Sequence, residues 1–436
     1  MQAEASGRSY AEQIIDQLPC NGKYSFSNPF KVTILANGWR GRWIWGSCES
    51  NAIFTKELSK QLAKFPHVKV TVLVPKGSCD EIEKRDAKSH KVTIVEAKKK
   101  PGFQNPNDWL CFPPKGLTTD IVIGVGERLC KMAQIFKELH HCKSIFVGCD
   151  SFEESFSRDA ELRDAQAKME DECLGKSNVQ PMMQMADLPV AVGPKRAEKL
   201  SVSLSCQGKE VFKLTPGILS EFADVTQTLD GRKKFRILVA GHGHPRYFHK
   251  EGLDTVAKAV AGLKDRSYEI ILVGAAKGEH RGFIEKFHEC GVPKHQLIIR
   301  SPPKDEEEMK RWLCEADLAI VPSGNQGFGM FGLIALSSGL PILVHGASGL
   351  GEALEDVAGG WSSIVESEDV TVWSEAIKKV RNKVRKVRLE EADSLRKHYK
   401  EKYSWEKQCE ALVKEMQKMA SGMNFFYVTC MCCLNI

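Results

Sequence analysis

Two doubly wound parallel-sheet domains of the Rossmann-like α/β class, facing each other across a cleft, are the architecture this sequence predicts. Three observations predict it. From Lys31 onward, short β-branched apolar runs alternate with longer amphipathic stretches. This is the βαβ signature, because buried parallel strands read as continuous apolar runs while crossover helices repeat about every 3.6 residues. The alternation breaks near Lys213 and restarts at Phe235. Finally, 436 residues with 42% hydrophobic content suit two ordinary cores, since domains typically hold about 100–200 residues.

The first series opens with a strand at Val32–Ala36, a helix at Phe54–Ala63 and a strand at Val68–Val74. Further strands fall at Val92–Val95, Asp120–Val125, Ser144–Val147 and Leu188–Val192. Residues 31–215 therefore form a first Rossmann-like domain, behind an extension over residues 1–30. The stretch Lys213-Leu-Thr-Pro-Gly-Ile-Leu reads as the break between domains. The second series runs through Phe235–Ala240, Glu269–Gly274, Gln296–Ile299, Ala316–Pro322 and Pro341–Val344, giving a second domain over 216–385. Beyond Val370 the chain is helical and charged as far as Met419, and its Lys and Arg cluster from Lys378 to Arg388 reads as a solvated helix face. Ligands of such sheets sit outside the carboxyl ends of the strands, so the cleft is where function is expected.

Composition excludes several function classes. A formal charge of +6, from 62 Lys and Arg against 56 Asp and Glu, is too small over this surface to mark a nucleic-acid partner. Of the 15 cysteines, those ahead of the tail are scattered singly, many in apolar runs (Cys130, Cys142, Cys149, Cys314), which suits buried free thiols in a reducing compartment better than a disulfide framework. No CxxC pair has a matching His or Cys pair, so no metal site is expected. Residues 1–29 lack the basic and apolar blocks of a signal peptide, and no run of 18 apolar residues occurs. A cytoplasmic protein without a cofactor is expected. The Cys-rich apolar tail, residues 421–436, ends in a Cys-a-a-X frame with Cys430 and Cys432 as acylation candidates. Asn435 occupies the place of an aliphatic residue, so a loosely docked tail is the main expectation and membrane contact the lesser one.

The segment Gln326-Gly-Phe-Gly-Met-Phe-Gly follows a strand and opens a helix. Glycines there let backbone N–H groups approach an anion at the helix N-terminus. Alone, a tight turn explains it equally well. In its setting, Pro322 to Leu354 resembles the donor segment of family 4 glycosyltransferases, where Glu-Gly-Phe-Gly opens a helix, a second Glu follows eight residues on, and Gly-x-Pro leads into the next strand. Ser348-Gly-Leu-Gly-Glu-Ala-Leu is similar to that family's phosphate-approach loop, and Ala316–Ser323 and Tyr403-Ser-Trp-Glu resemble further landmarks. The resemblance spans roughly Lys31 to Met419. It implies a GT-B fold, with an acceptor-side domain over 31–215, a nucleotide-sugar-side domain over 216–385, and a C-terminal helix over 386–420 crossing back to the first domain.

The resemblance further implies retaining transfer of a sugar from a nucleotide-diphospho sugar to an unidentified acceptor, usually without a metal. Cationic side chains and helix dipoles would stabilise the departing diphosphate. It places the donor site at His242, Lys250, Gln326, Gly327, Phe328, Gly329, Ser348, Gly349 and Gly351, and assigns no catalytic residue. Several of these positions depart from the family. Its two glutamates fall at Gln326 and Ile334, its Arg at His242, and its Lys at Glu251, with Arg246 or Lys250 reaching in as the alternative register. In the first domain a paired glycine falls at Glu49-Ser50, or at Gly46 in a shifted register, and a His falls at Cys149. Charge-assisted hydrogen bonds contribute about 1.5–3 kcal/mol each, so losing two weakens donor binding by roughly 10² to 10⁴. Two functions follow as expectations: a glycosyltransferase using the retained groups, or a catalytically silent GT-B module that binds a nucleotide, glycan or protein.

Overall fold

The computed structural model describes residues 29–40, 48–148, 179–229, 232–324 and 327–433. Within them lie two parallel sheets. The first has seven strands in the order β3-β2-β1-β4-β5-β6-β7, and the second six in the order β10-β9-β8-β11-β12-β13. The first seven strands are β1 (Phe30–Leu35), β2 (Val68–Pro75), β3 (Thr93–Ala97), β4 (Ile121–Val125), β5 (Lys143–Gly148), β6 (Leu188–Val192) and β7 (Phe212–Leu214). The other six are β8 (Phe235–Gly243), β9 (Tyr268–Ala275), β10 (Leu297–Arg300), β11 (Leu318–Val321), β12 (Ile342–His345) and β13 (Ile364–Val365).

Helices cover both faces, so the central strands are buried on both sides. β2 exposes only Lys69, and β9 is buried at every position. Register is set by like meeting like: Val32 lies between Val70 and Ile121, and Leu238 between Ile271 and Ala319. One apolar cluster runs without interruption from Val32 and Val70 through Leu219 and Phe222 to Leu333, Leu336, Tyr399 and Leu412.

Three readings of the sequence are corrected. The break begins later than Lys213, because Phe212–Leu214 is a seventh strand that pairs in parallel with Val190–Val192 and the crossover starts at Thr215. β13 escaped notice because two residues carry no periodicity. The Lys and Arg cluster is not wholly a solvated face: Arg385 and Arg388 are buried and face Asp317.

The C-terminal part is two helices, Arg385–Lys402 and Trp405–Cys433. The second packs on helix Cys48–Leu62 of the first sheet, with the rings of Phe54 and Trp405 5.9 Å apart. The crossover between sheets is fastened to these helices. Tyr399 donates its hydroxyl to the Pro216 carbonyl at 2.9 Å, and Gln408 both accepts from the Thr215 N–H and donates to its carbonyl at 2.8 Å. Gly217 allows the approach: a Cβ there would stand 2.4 Å from the Tyr403 carbonyl oxygen. No helix among the described residues is long and apolar enough to cross a membrane. Tail residues Cys430 and Cys432 lie outside the described side chains.

Candidate functional site

In the second sheet the strand order reverses between β8 and β11, and the carboxyl ends of β8, β11 and β12 converge there. Loops rather than regular structure build this corner. Gly252, at φ +69°, packs on Pro322, to whose backbone a Cβ would come within 3.2 Å, and the Ser323 hydroxyl donates to the Lys250 carbonyl at 3.1 Å.

At the end of β8 the two positions expected to be cationic hold an imidazole and a carboxylate. Glu251 is only 4% exposed. Its Oε1 accepts from the His242 backbone N–H at 2.9 Å and also contacts the His242 ring at Nδ1. Oε2 lies under Gly241 with no hydrogen-bond partner among the described residues. Burial pushes the Glu251 carboxyl above the usual carboxylate range, although the His242 imidazole works the other way. The pair carries no net positive charge when both groups are ionised. Of the alternative-register cations, Arg246 is exposed and lies 4.6 Å over the Tyr247 ring, and Lys250 is exposed.

The two glycine loops pack on each other. Gly349 donates its N–H to the Gly327 carbonyl at 3.0 Å, and a Cβ on Gly349 would stand 2.9 Å from the Phe328 Cα. Gly329, at φ +83°, precedes helix Met330–Ser337. Ser348 caps helix Gly349–Glu355: its Oγ accepts from the Gly351 N–H at 3.0 Å and donates to the His345 carbonyl at 2.7 Å. The amides of Gly349 and Gly351 are thus satisfied within the protein. Phe328 is buried against Gly193 of the first domain, where a Cβ would approach the ring to 2.8 Å. Ile334 is fully buried in the core. Gln326, Gly46 and Cys149 lie outside the described residues, as do the side chains of Glu49 and Ser50.

Three polar residues near this corner were not foreseen. His345 ends β12 and is 8% exposed. Its Nδ1 accepts from the Ala347 N–H at 3.1 Å, which leaves the proton of a neutral ring on Nε2, an atom with no partner among the described residues. Burial lowers its pKa and favours that neutral form. Lys195, in the first turn of helix Pro194–Leu204, donates to the Ala347 carbonyl and lies 3.7 Å from Glu352, while Arg196 packs against Gly148 at the end of β5. The available signals were a histidine closing an apolar strand before glycine, and two cations after Gly193-Pro194 in a strand-to-helix turn. Cys79, Cys111 and Cys142 are buried thiols, each pushed up to about 11 by burial. No group of three metal-ligating side chains occurs among the described residues.

Comparison with known proteins gives this corner a setting. The family described as Family 4 Glycosyltransferase in conflict systems matches residues 46–412. A D-inositol 3-phosphate glycosyltransferase of Paenarthrobacter aurescens is 23% identical over 246 residues, covering 54% of this chain and 58% of the relative. The match therefore spans little more than half of that relative's length. Among solved structures, sucrose-phosphate synthase from Thermosynechococcus elongatus superposes with a TM-score of 0.63 at 13% identity, over 90% of this chain and 100% of that one. Anabaena Alr3699/HepE, solved in complex with UDP and glucose, gives a TM-score of 0.58 at 12% identity, over 89% and 99%. These likenesses establish the two-sheet fold as that of GT-B glycosyltransferases.

Proposed function

The chain belongs to the family 4 glycosyltransferases in conflict systems, and from that premise we propose that its cleft is shaped for a nucleotide-diphospho sugar but has lost efficient sugar transfer. The observation that carries this reading is the buried Glu251 carboxylate folded onto His242. Transfer with retention is favoured by positive charge placed against the departing, anionic diphosphate. Here a carboxylate lies where the resemblance expects a lysine. The domain over 216–385 is the donor side in this proposal and the domain over 31–215 the acceptor side. The free cysteines among the described residues support a reducing, cytoplasmic setting.

A second reading, a working transferase, has its own observation. His345 presents a buried, unpartnered Nε2–H at the carboxyl end of β12, and a neutral donor of that kind can stabilise a phosphate oxygen. The two readings separate in one experiment. UDP, GDP and ADP, alone and as diphospho-sugars, are titrated against the wild type and the double variant H242R/E251K, with melting temperature and sugar release as readouts. Reversal of charge is expected to produce or strengthen a saturable shift by about 10² or more in apparent affinity. Rapid sugar release by the wild type would overturn the loss-of-transfer proposal, and its abolition by His345→Phe would assign that activity to the second reading.

A further inference from the structure

The second domain buries a surplus of positive charge at the end of its sheet opposite the cleft. Asp317, immediately before β11, is 2% exposed and faces three guanidinium groups: Arg385 at 2.6 Å, Arg388 at 3.5 Å and Arg232 at 3.9 Å. Arg232 is also bonded to the carbonyls of Cys314, Glu315 and Ala316, and Arg385 Nε donates to the Thr228 carbonyl at 2.7 Å. Arg388 has no such support. Its side chain is 9% exposed, its guanidinium lies 4.8 Å over the Phe235 ring, and Nε and Nη1 have no hydrogen-bond partner among the described residues. Burial, followed by the neighbouring guanidinium of Arg385, works to lower the Arg388 pKa, with Asp317 opposing.

Arg388 also lines a cavity of about 40 Å³ whose other walls include Leu340, Ile342, Ser362 and Ser363. At the rim, Lys383 and Glu391 bind each other through both carboxylate oxygens at 2.8 and 2.6 Å. That pair neutralises itself, so the guanidinium charge inside has only Asp317, shared with Arg385 and Arg232, to balance it. The cavity exceeds the roughly 10–15 Å³ one water needs. Water could satisfy the open N–H groups, yet it would leave two buried guanidinium groups and the half-buried Arg232 facing one anion, an arrangement that is costly without a counter-charge.

We infer that the Arg388 cavity, at the amino ends of β11 and β12, is a binding site for one small oxyanion of the phosphate class, separate from the donor cleft. Charge-assisted bonds from a guanidinium to phosphate oxygens are among the stronger hydrogen bonds available in proteins. Ser362 and Ser363 also line the cavity.

The test is calorimetric titration and thermal melting of the full chain with inorganic phosphate, against sodium chloride at matched ionic strength. Wild type is compared with R388Q, which removes the charge, and A392L, which fills the cavity from the Ala392 wall without touching Arg388 chemically. One phosphate per chain with a saturable rise in melting temperature is expected for the wild type, with affinity at least tenfold weaker in both variants. An absence of phosphate-specific heat in the wild type would leave only water in the cavity and overturn the inference. Equal binding by all three proteins would overturn it too, by placing the anion in the cleft. Should R388Q fail to fold, A392L and the wild-type stoichiometry decide the matter alone.

Discussion

Ile334 and Glu251 depart from the family for different physical reasons. Glu251 has a partner in the His242 N–H and differs from the residue the family places there chiefly in sign. Ile334 is fully buried in the apolar cluster that joins the domains. Restoring a glutamate at 334 puts a carboxyl among aliphatic side chains, where it either stays protonated or costs several kcal/mol to ionise. Ile334→Glu is therefore expected to destabilise by about 2–5 kcal/mol, read as a lower urea midpoint. Ile334→Leu should stay within about 1.5 kcal/mol of the wild type. If Ile334→Glu proved neutral, the helix it lies on would have to turn its face toward the cleft.

At the scale of elements, the glycine loops illustrate what a sequence discloses and what it withholds. That Gly327–Gly329 and Ser348–Gly351 are turns feeding helices was legible, because a strand ends and apolar periodicity resumes on either side. Where their N–H groups go was not, since Gly349 bonds to the Gly327 carbonyl across a gap of about 20 residues in sequence, although the Gly351 to Ser348 bond is a local cap. The same contrast holds for strands. Val68–Val74 and Glu269–Val273 announced themselves by long buried runs, whereas Phe212–Leu214 is three residues with an exposed lysine at its centre. His345 was hidden because its burial comes from packing that the sequence does not display, while its ring hydrogen bond is local, from the Ala347 N–H. Close packing predicts that Gly351→Ala is worse than its chemistry suggests, because the new methyl would stand 2.4 Å from the His345 carbonyl oxygen. A loss of about 1–3 kcal/mol is expected, against a change within about 0.5 kcal/mol for Gly262→Ala at the end of helix Leu253–Gly262, where no atom lies within 4 Å. Thermal melts of the two variants check the order.

For the whole molecule, the two sheets are held in register by charge as well as by the shared core. Lys56, in helix Cys48–Leu62, lies 3.3 Å from Glu306 at the start of helix Glu306–Glu315 and contacts Glu221 in the crossover, while Lys60 reaches Glu221 at 2.9 Å. Burial opposes the charge on Lys56, but Glu221 and Glu306 outweigh it and raise its pKa. Burial likewise opposes the Glu221 carboxylate, yet Lys56 and Lys60 depress its pKa below the ordinary glutamate value. A depressed carboxyl contributes stability that is present above its unfolded pKa and is lost as pH falls through the folded one. A raised lysine contributes stability that is present below its unfolded pKa and fades as pH climbs through the folded one. The network is thus fully formed near neutrality and fails first on the acid side. Glu221→Gln should lower stability at pH 7 by about 1–3 kcal/mol and flatten the decline between neutrality and the acidic range, measured by urea unfolding across pH. Because Lys56 also holds Glu306, the same variant should loosen the approach of the two domains, seen as faster hydrogen exchange in helix Glu306–Glu315 with little change in β2. Parallel pH profiles for variant and wild type would mean that Glu221 titrates alike folded and unfolded, leaving the apolar core to align the domains by itself.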